Sequence, residues 1–144
     1  MISVESYFRL LWLDERAGMS GSKRFHMAVH YSREVLTEPI ALLSALQNLF
    51  PDFVDEELVQ DIHSGDAGLH TVIRAFASSF DASTARPSQL AGLARLIGHC
   101  VAFPDRLENA VGTCFLEHLH QIDGQGVLWK FLSPDVVAYM RRRN

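Results

Sequence analysis

Residues 37–50 read TEPIALLSALQNLF, and this stretch sets the helical character of the chain. Thr37 is a good helix cap, Glu38 suits the positive end of a helix, and Pro39 is tolerated in the first turn. Apolar residues follow at the helical spacing of about 3.6 residues per turn: Ile40, Leu43, Leu46, Leu49 and Phe50. The stretch therefore predicts an amphipathic helix that ends or bends at Pro51.

Helical patterns recur on both sides of this stretch. We predict helices over 3–17, 24–36, 52–62, 66–80, 88–103, 105–122 and 133–143, with a short turn around Trp129. Alternating runs of β-branched residues and hairpin turns, which indicate strands, are absent from the sequence. We therefore expect an all-α fold, a single compact bundle of about seven or eight helices.

The length of 144 residues is typical of one domain. A chain of this size buries roughly 68–70% of the surface that it exposes when unfolded, so a hydrophobic core can hold it together. We expect a single helical domain over 1–144. The sequence leaves open whether 1–36 is a helical attachment to a core formed by 37–144.

Composition favours a soluble protein, with 48% hydrophobic and 21% charged residues. The apolar run Leu10–Leu13 is shorter than the core of a signal peptide, and no stretch reaches the length of a membrane span. We therefore expect a cytoplasmic location and no membrane partner. In that compartment Cys100 and Cys114 are expected to be reduced thiols.

Negative charge is concentrated in the middle of the chain. The net charge is −4, but residues 38–85 alone hold eight acidic residues against one basic residue, Arg74. An acidic chain without a basic stripe is not expected to bind nucleic acid. The candidate binding residues lie within this region: Asp52, Asp55, Glu56, Glu57, Asp61 and Asp66. They are either a solvated helix face or a surface that recognises a basic partner.

The seven histidines do not form a recognised metal-binding pattern. His26 and His30 lie four residues apart on one predicted helix face, but structural and catalytic zinc sites need three or four ligands. Glu117 and His120 form one Glu-x-x-His pair, whereas di-iron bundles need a second pair and further glutamates. We predict no metal site, no cofactor and no catalytic residue.

Cys114 and His118 lie four residues apart in the predicted 105–122 helix. The helical pattern places His118 at the centre of an apolar stripe, which predicts a buried histidine beside a buried thiol. The alternative is a nucleophilic Cys–His pair, which would also need substrate access and an oxyanion donor.

Four short stretches of the chain resemble a known group of proteins. Residues 108–111 and 114–119, together with Phe50–Phe53 and His70–Ile73, are similar to small all-α bacterial proteins of unassigned function. Some relatives of that kind resemble immunity proteins of toxin–antitoxin or contact-inhibition loci. The resemblance covers 37–132 and implies a helical fold and such a genomic setting, and it assigns no catalytic residue.

We therefore expect a non-enzymatic protein-binding domain, a bacterial immunity protein that neutralises a toxin through its acidic surface. A toxic nuclease would suit this expectation, since its cleft must be basic to hold phosphate. One alternative is an adaptor that forms homo-oligomers through residues 3–17, using Tyr7, Phe8, Leu11 and Trp12. Another is a small hydrolase that depends on a metal ion or on Cys114 and His118.

Overall fold

The structure, a computed structural model, describes residues 32–143. The α-helices are α1 (Arg33–Leu36), α2 (Pro39–Leu49), α3 (Glu56–His63), α4 (Leu69–Ser79), α5 (Pro87–Cys100), α6 (Arg106–Cys114), α7 (Leu119–Ile122) and α8 (Pro134–Arg143). Single turns of 3-10 helix lie at Leu116–His118 and Trp129–Phe131. These residues contain no β-strand, which confirms the predicted compact all-α bundle. The helices predicted over 3–17 and over most of 24–36 lie outside the described residues.

Helix α2 begins one residue later than its sequence pattern indicates. Glu38 is the cap residue, and its side chain makes no capping hydrogen bond. The hydroxyl of Thr37 instead donates to the carbonyl of Glu34 at 2.6 Å, so it closes α1. The prediction that Thr37 caps α2 is therefore wrong, whereas Pro39 does occupy the first turn, where a missing N–H costs nothing.

Helix α2 runs through the centre of the core. Leu43 and Leu46 are buried as the pattern predicts, and so are Leu42 on the same side and Ala41 and Ala45 beyond its edge. Helix α2 can be buried on more than one side because it contacts α1, α3, α4 and α5. Leu36 is fully buried in the same core, directly before Thr37.

A cluster of phenylalanine rings joins α2, α4 and the end of α6. The buried Phe76 ring lies 5.3 to 5.9 Å, between ring centroids, from those of Phe50, Phe53, Phe80 and Phe115. Such separations fall within the favourable range for aromatic pairs. Helices α2 and α4 both end directly before a ring of this cluster, at Leu49 and Ser79.

The long helix predicted over 105–122 is broken in the structure. Helix α6 ends at Cys114, and Phe115 leaves the helical conformation at φ −126° and ψ −63°. Cys114, Phe115 and Leu116 are three consecutive buried residues. At this break the Phe115 ring packs against those of Phe76 and Phe80, and the chain passes through a 3-10 turn before α7 begins. None of the described helices is long and apolar enough to cross a membrane.

Candidate functional site

Helix α3 carries most of the candidate acidic residues, and part of their charge stabilises the helix itself. Asp55 is the cap residue, and its Oδ1 accepts a hydrogen bond from the backbone N–H of Leu58 at 3.0 Å. Glu56 and Glu57 occupy the first turn, where negative charge interacts favourably with the helix dipole. Local structure therefore accounts for these three acids without a partner.

A turn after α3 brings Asp61 and Asp66 together. Gly65, with φ +80°, adopts the left-handed conformation that glycine tolerates. The backbone N–H groups of Asp66 and Ala67 then donate to the carbonyl of Asp61 at 2.8 and 3.2 Å. The turn therefore places the backbones of Asp61 and Asp66 side by side at the end of α3.

We call the predicted binding residues the acidic surface: Asp52, Asp55, Glu56, Glu57, Asp61 and Asp66. Four of the six are exposed, whereas Asp55 and Asp61 are half-buried. The ion pairs within residues 32–143 involve only Arg33 with Asp105, and Arg143 with Glu108 and Glu117. None of the carboxylates of the acidic surface takes part in these three ion pairs.

Val54 lies within the acidic surface, between Asp52 and Asp55, and its side chain is 69% exposed. It is the most exposed large hydrophobic residue in the part of the chain that the structure describes. Phe103 is exposed to 62%, but its ring stacks on the Arg33 guanidinium at 5.2 Å. The patterns in the sequence did not single out Val54, because one valine outside a helix has no periodicity.

The histidines near the acidic surface do not gather into one site. His63 is exposed at the end of α3. The Nε2 atom of His70 lies 3.3 Å from the side-chain amide nitrogen of Asn109, and this contact links α4 to α6. The described residues contain no group of three or more His, Cys, Asp or Glu side chains placed to hold a metal ion. His26 and His30 lie outside the described residues.

The prediction that His118 is buried is wrong. The break after Cys114 places His118 in the 3-10 turn, and its side chain is exposed. Cys114 is buried as predicted, and burial raises the pKa of its thiol. A thiol that resists ionisation is a poor nucleophile, since the thiolate is the reactive form. The geometry therefore does not favour the alternative of a Cys–His nucleophile pair.

A polar network that the sequence did not reveal fastens α8 to α6. The Tyr139 hydroxyl donates to Glu108 in a short hydrogen bond, and Arg143 Nη1 lies 3.0 Å from the same carboxylate oxygen. Arg143 Nη2 also donates to Thr113 at 3.1 Å and to Glu117 at 2.9 Å. Contacts of this kind join residues about 30 positions apart, beyond the reach of a helical pattern. These polar groups therefore have a structural role.

A shallow cleft of about 340 Å³ lies beside α7 and is lined in part by Glu117, His120, Asp123 and Trp129. Its two carboxylates already have partners. Glu117 binds Arg143, and the buried Asp123 accepts hydrogen bonds from the backbone N–H groups of Val127 and Trp129 at 2.8 and 2.9 Å. Asp123 therefore orders the loop before the second 3-10 turn.

Comparison of the chain with protein-family models, with curated proteins and with solved structures finds no match.

Proposed function

We propose that this chain is a non-enzymatic binding protein whose acidic surface recognises a basic protein. More specifically, we propose that it is an immunity protein that neutralises a bacterial toxin, with a nuclease as the best-suited target. The binding role is supported by the geometry of the acidic surface. The neutralising role rests on the resemblance of 37–132 to small helical bacterial proteins.

The observation that carries the binding role is the position of Val54. Protein interfaces typically combine an apolar contact that loses water with a polar rim that sets orientation. Val54 offers such a contact, and Asp52 and Asp55 flank it in the sequence. Val54, exposed to 69% at the edge of α3, therefore adds an apolar contact to a surface that is otherwise acidic.

Charge complementarity determines which kind of partner the surface fits. Six carboxylates lie within fifteen residues, and Arg74 is the single basic residue between 38 and 85. A negative potential of this kind attracts a positively charged protein and raises its association rate by roughly 10- to 1,000-fold. The basic cleft of a nuclease is one surface with the matching charge.

The test is the binding of this chain to the protein encoded by the neighbouring gene, measured by surface plasmon resonance at low and high salt. The test variant carries Glu56→Lys, Glu57→Lys and Asp66→Lys. These residues are exposed, and the Asp55 cap is left in place. We expect the association rate constant to fall by about tenfold or more at low salt, with a smaller effect at high salt.

The matched control carries Glu34→Lys, Glu38→Lys and Asp135→Lys. These acids are also exposed, and the control changes the net charge by the same amount. Glu38 lies at the opposite end of α2 from the acidic surface, and Glu34 and Asp135 occupy first turns of other helices. We expect binding by the control to change by less than about threefold. If both variants bind equally well, the acidic surface is not the binding site.

A further inference from the structure

A cleft of about 170 Å³ adjoins the acidic surface. It lies where α2 and α4 end and α5 begins, and Asp52 belongs both to its lining and to the acidic surface. Pockets that enclose a drug-sized ligand usually measure about 300–1,000 Å³. The smaller volume suits a single side chain of a bound protein. Its principal lining residues are Phe50, Asp52, Phe80, Asp81, Thr84 and Gln89.

The floor of the cleft is aromatic and firmly held. Phe50 and Phe80 are half-buried and line the cleft, with their ring centroids 5.7 Å apart in an edge-to-face arrangement. Both rings pack on the buried Phe76, at 5.3 and 5.5 Å. Aromatic faces attract cations, and rings that cannot rotate away make such a contact less costly in entropy.

The rim of the cleft is negatively charged. Asp52 and Asp81 are both exposed, and neither carboxylate forms an ion pair with the described residues. The Oδ1 atom of Asp81 accepts hydrogen bonds from the N–H and the hydroxyl of Ser83 at 3.0 and 2.6 Å. These bonds orient the carboxylate, and they lower its pKa below the ordinary value.

The other polar groups of the lining are already satisfied. Gln89 accepts from the backbone N–H of Arg86 at 2.8 Å and donates to the carbonyl of Leu49 at 2.9 Å. The Thr84 hydroxyl donates to the carbonyl of Asp81. Among the residues that the structure describes, no lysine or arginine lines the cleft. An incoming cation would therefore meet the carboxylates of Asp52 and Asp81 and the rings of Phe50 and Phe80.

We propose that this cleft binds one arginine side chain of the basic partner protein, stacked on Phe50 and Phe80 and paired with Asp52 and Asp81. This inference rests on the proposed function and specifies how the partner is recognised. A guanidinium group is flat, weakly hydrated and able to donate two parallel hydrogen bonds to a carboxylate, which fits an aromatic floor with an acidic rim. A lysine ammonium is more strongly hydrated and cannot stack in this way.

The test uses N-acetylarginine amide as the probe, titrated into the full-length ¹⁵N-labelled chain and followed by NMR. Nα-acetylcitrulline amide has nearly the same shape as the arginine probe but no charge. Nα-acetyllysine amide keeps a positive charge, on its ε-ammonium group, but has no planar group. We expect saturable shifts of the amides around Phe50, Phe80 and Asp81, with arginine binding at least about fivefold more tightly than either comparison compound. Shifts that do not saturate, or that lie elsewhere on the acidic surface, would overturn the proposal, as would equal binding of the three compounds.

Two variants then test whether the carboxylates of Asp52 and Asp81 bind the arginine probe. Asp52→Asn and Asp81→Asn keep the size of the side chain, and asparagine can still accept the hydrogen bonds from Ser83. We expect each to weaken arginine binding about threefold or more, whereas Asp135→Asn, an exposed acid on α8, should leave it unchanged. Unchanged binding by both cleft variants would overturn the proposal. If the probe fails to bind, and the variant with Glu56→Lys, Glu57→Lys and Asp66→Lys nevertheless binds the partner protein more weakly than the natural chain, the arginine site is wrong and the proposed function stands.

Discussion

Arg33 and Asp105 lie 72 positions apart in the sequence and form a two-pronged ion pair, with Nη1 2.6 Å from Oδ2 and Nη2 3.0 Å from Oδ1. The same guanidinium donates to the carbonyls of His99 and Cys100 at 2.9 and 2.6 Å. Asp105 in turn caps α6 by accepting from the N–H of Glu108. One arginine therefore holds together α1, the end of α5 and the start of α6.

Replacing this arginine should destabilise the whole fold. The Arg33 side chain is 14% exposed, so its hydrogen bonds are shielded from water. We expect Arg33→Ala to lower the free energy of unfolding by about 2 kcal/mol. Arg33→Lys keeps the charge but loses the planar guanidinium group, and we expect it to lower the free energy of unfolding by about 1 kcal/mol. Arg106→Ala, at an exposed position beside Asp105, should change it by less than about 0.5 kcal/mol. Urea unfolding followed by circular dichroism provides the measurement, and equal effects of all three changes would contradict the prediction.

The ion pair between Arg33 and Asp105 should make the free energy of unfolding depend on pH in the acidic range. The hydrogen bond from Arg33 holds the pKa of Asp105 below its ordinary value of 3.8. Since the folded state then binds this proton less readily than the unfolded state, the stabilisation is present above about pH 4 and is lost as the pH falls through the folded pKa. We expect the free energy of unfolding to decline less steeply below about pH 4 in Arg33→Ala than in the natural protein. Parallel declines, measured by urea unfolding at several pH values, would contradict this.

The phenol of Tyr139 should lose its proton only at an unusually high pH. Burial raises the pKa of its phenol to about 12, and the hydrogen bond that it donates to Glu108 acts in the same direction. The folded-state pKa lies above the ordinary value of 10, so this stabilisation is present below pH 10 and is lost as the pH rises towards 12. We expect ultraviolet titration of the folded protein to show a component near pH 12 that Tyr139→Phe removes. If the difference between the two titrations lies near pH 10, Tyr139 is not held as the structure shows.

The network around Tyr139 leaves little space for a side chain at position 112, which is occupied by glycine. A Cβ atom at Gly112 would lie 2.9 Å from Cζ of Arg143 and would also overlap the Tyr139 hydroxyl. We therefore expect Gly112→Ala to displace both groups, to bring the Tyr139 pKa down towards 10, and to lower the free energy of unfolding by about 1 to 2 kcal/mol.

Gly98→Ala is the matched control for this change. Gly98 also lies within a helix, but a Cβ there would make an ordinary contact of 3.6 Å with Val136. This substitution should be neutral or should stabilise the fold by up to about 1 kcal/mol, since alanine favours helices. A Gly112→Ala protein as stable as Gly98→Ala, with an unchanged tyrosine titration, would contradict the structure of the network.

Helical periodicity predicted the fold because it is a local property. Leu43 and Leu46 of the predicted stripe in α2 are buried and its other members are half-buried, and helix α8 runs to Arg143 as its sequence indicates. The errors lie where distant residues decide the outcome. Helix α5 ends at Cys100, earlier than predicted, at the carbonyl that receives a hydrogen bond from Arg33. No pattern around Cys100 contains that information.

The candidate site shows the same division. The six acids could be selected from the sequence because charge is visible in composition, and the structure shows that four of them are exposed. The cleft could not be predicted, since Phe50, Asp52 and Asp81 come together only through the packing of α2 against α4. The periodicity also failed for His118, because the turn at Phe115 rotates it out of the predicted stripe.

The two thiols should be unreactive in the folded protein. Burial raises the pKa of Cys100 to about 12 and also raises that of Cys114. Both side chains are buried, so a reagent needs both ionisation and local opening of the core before it can react. We expect Ellman's reagent to modify the folded protein on the order of a hundredfold more slowly than the protein in guanidinium chloride. The variants Cys100→Ser and Cys114→Ser show which cysteine accounts for which part of the reaction with the reagent. If Cys114 reacted in the folded protein as fast as a peptide thiol, the nucleophile alternative would regain its basis, because the thiolate of Cys114 would then be accessible to a substrate.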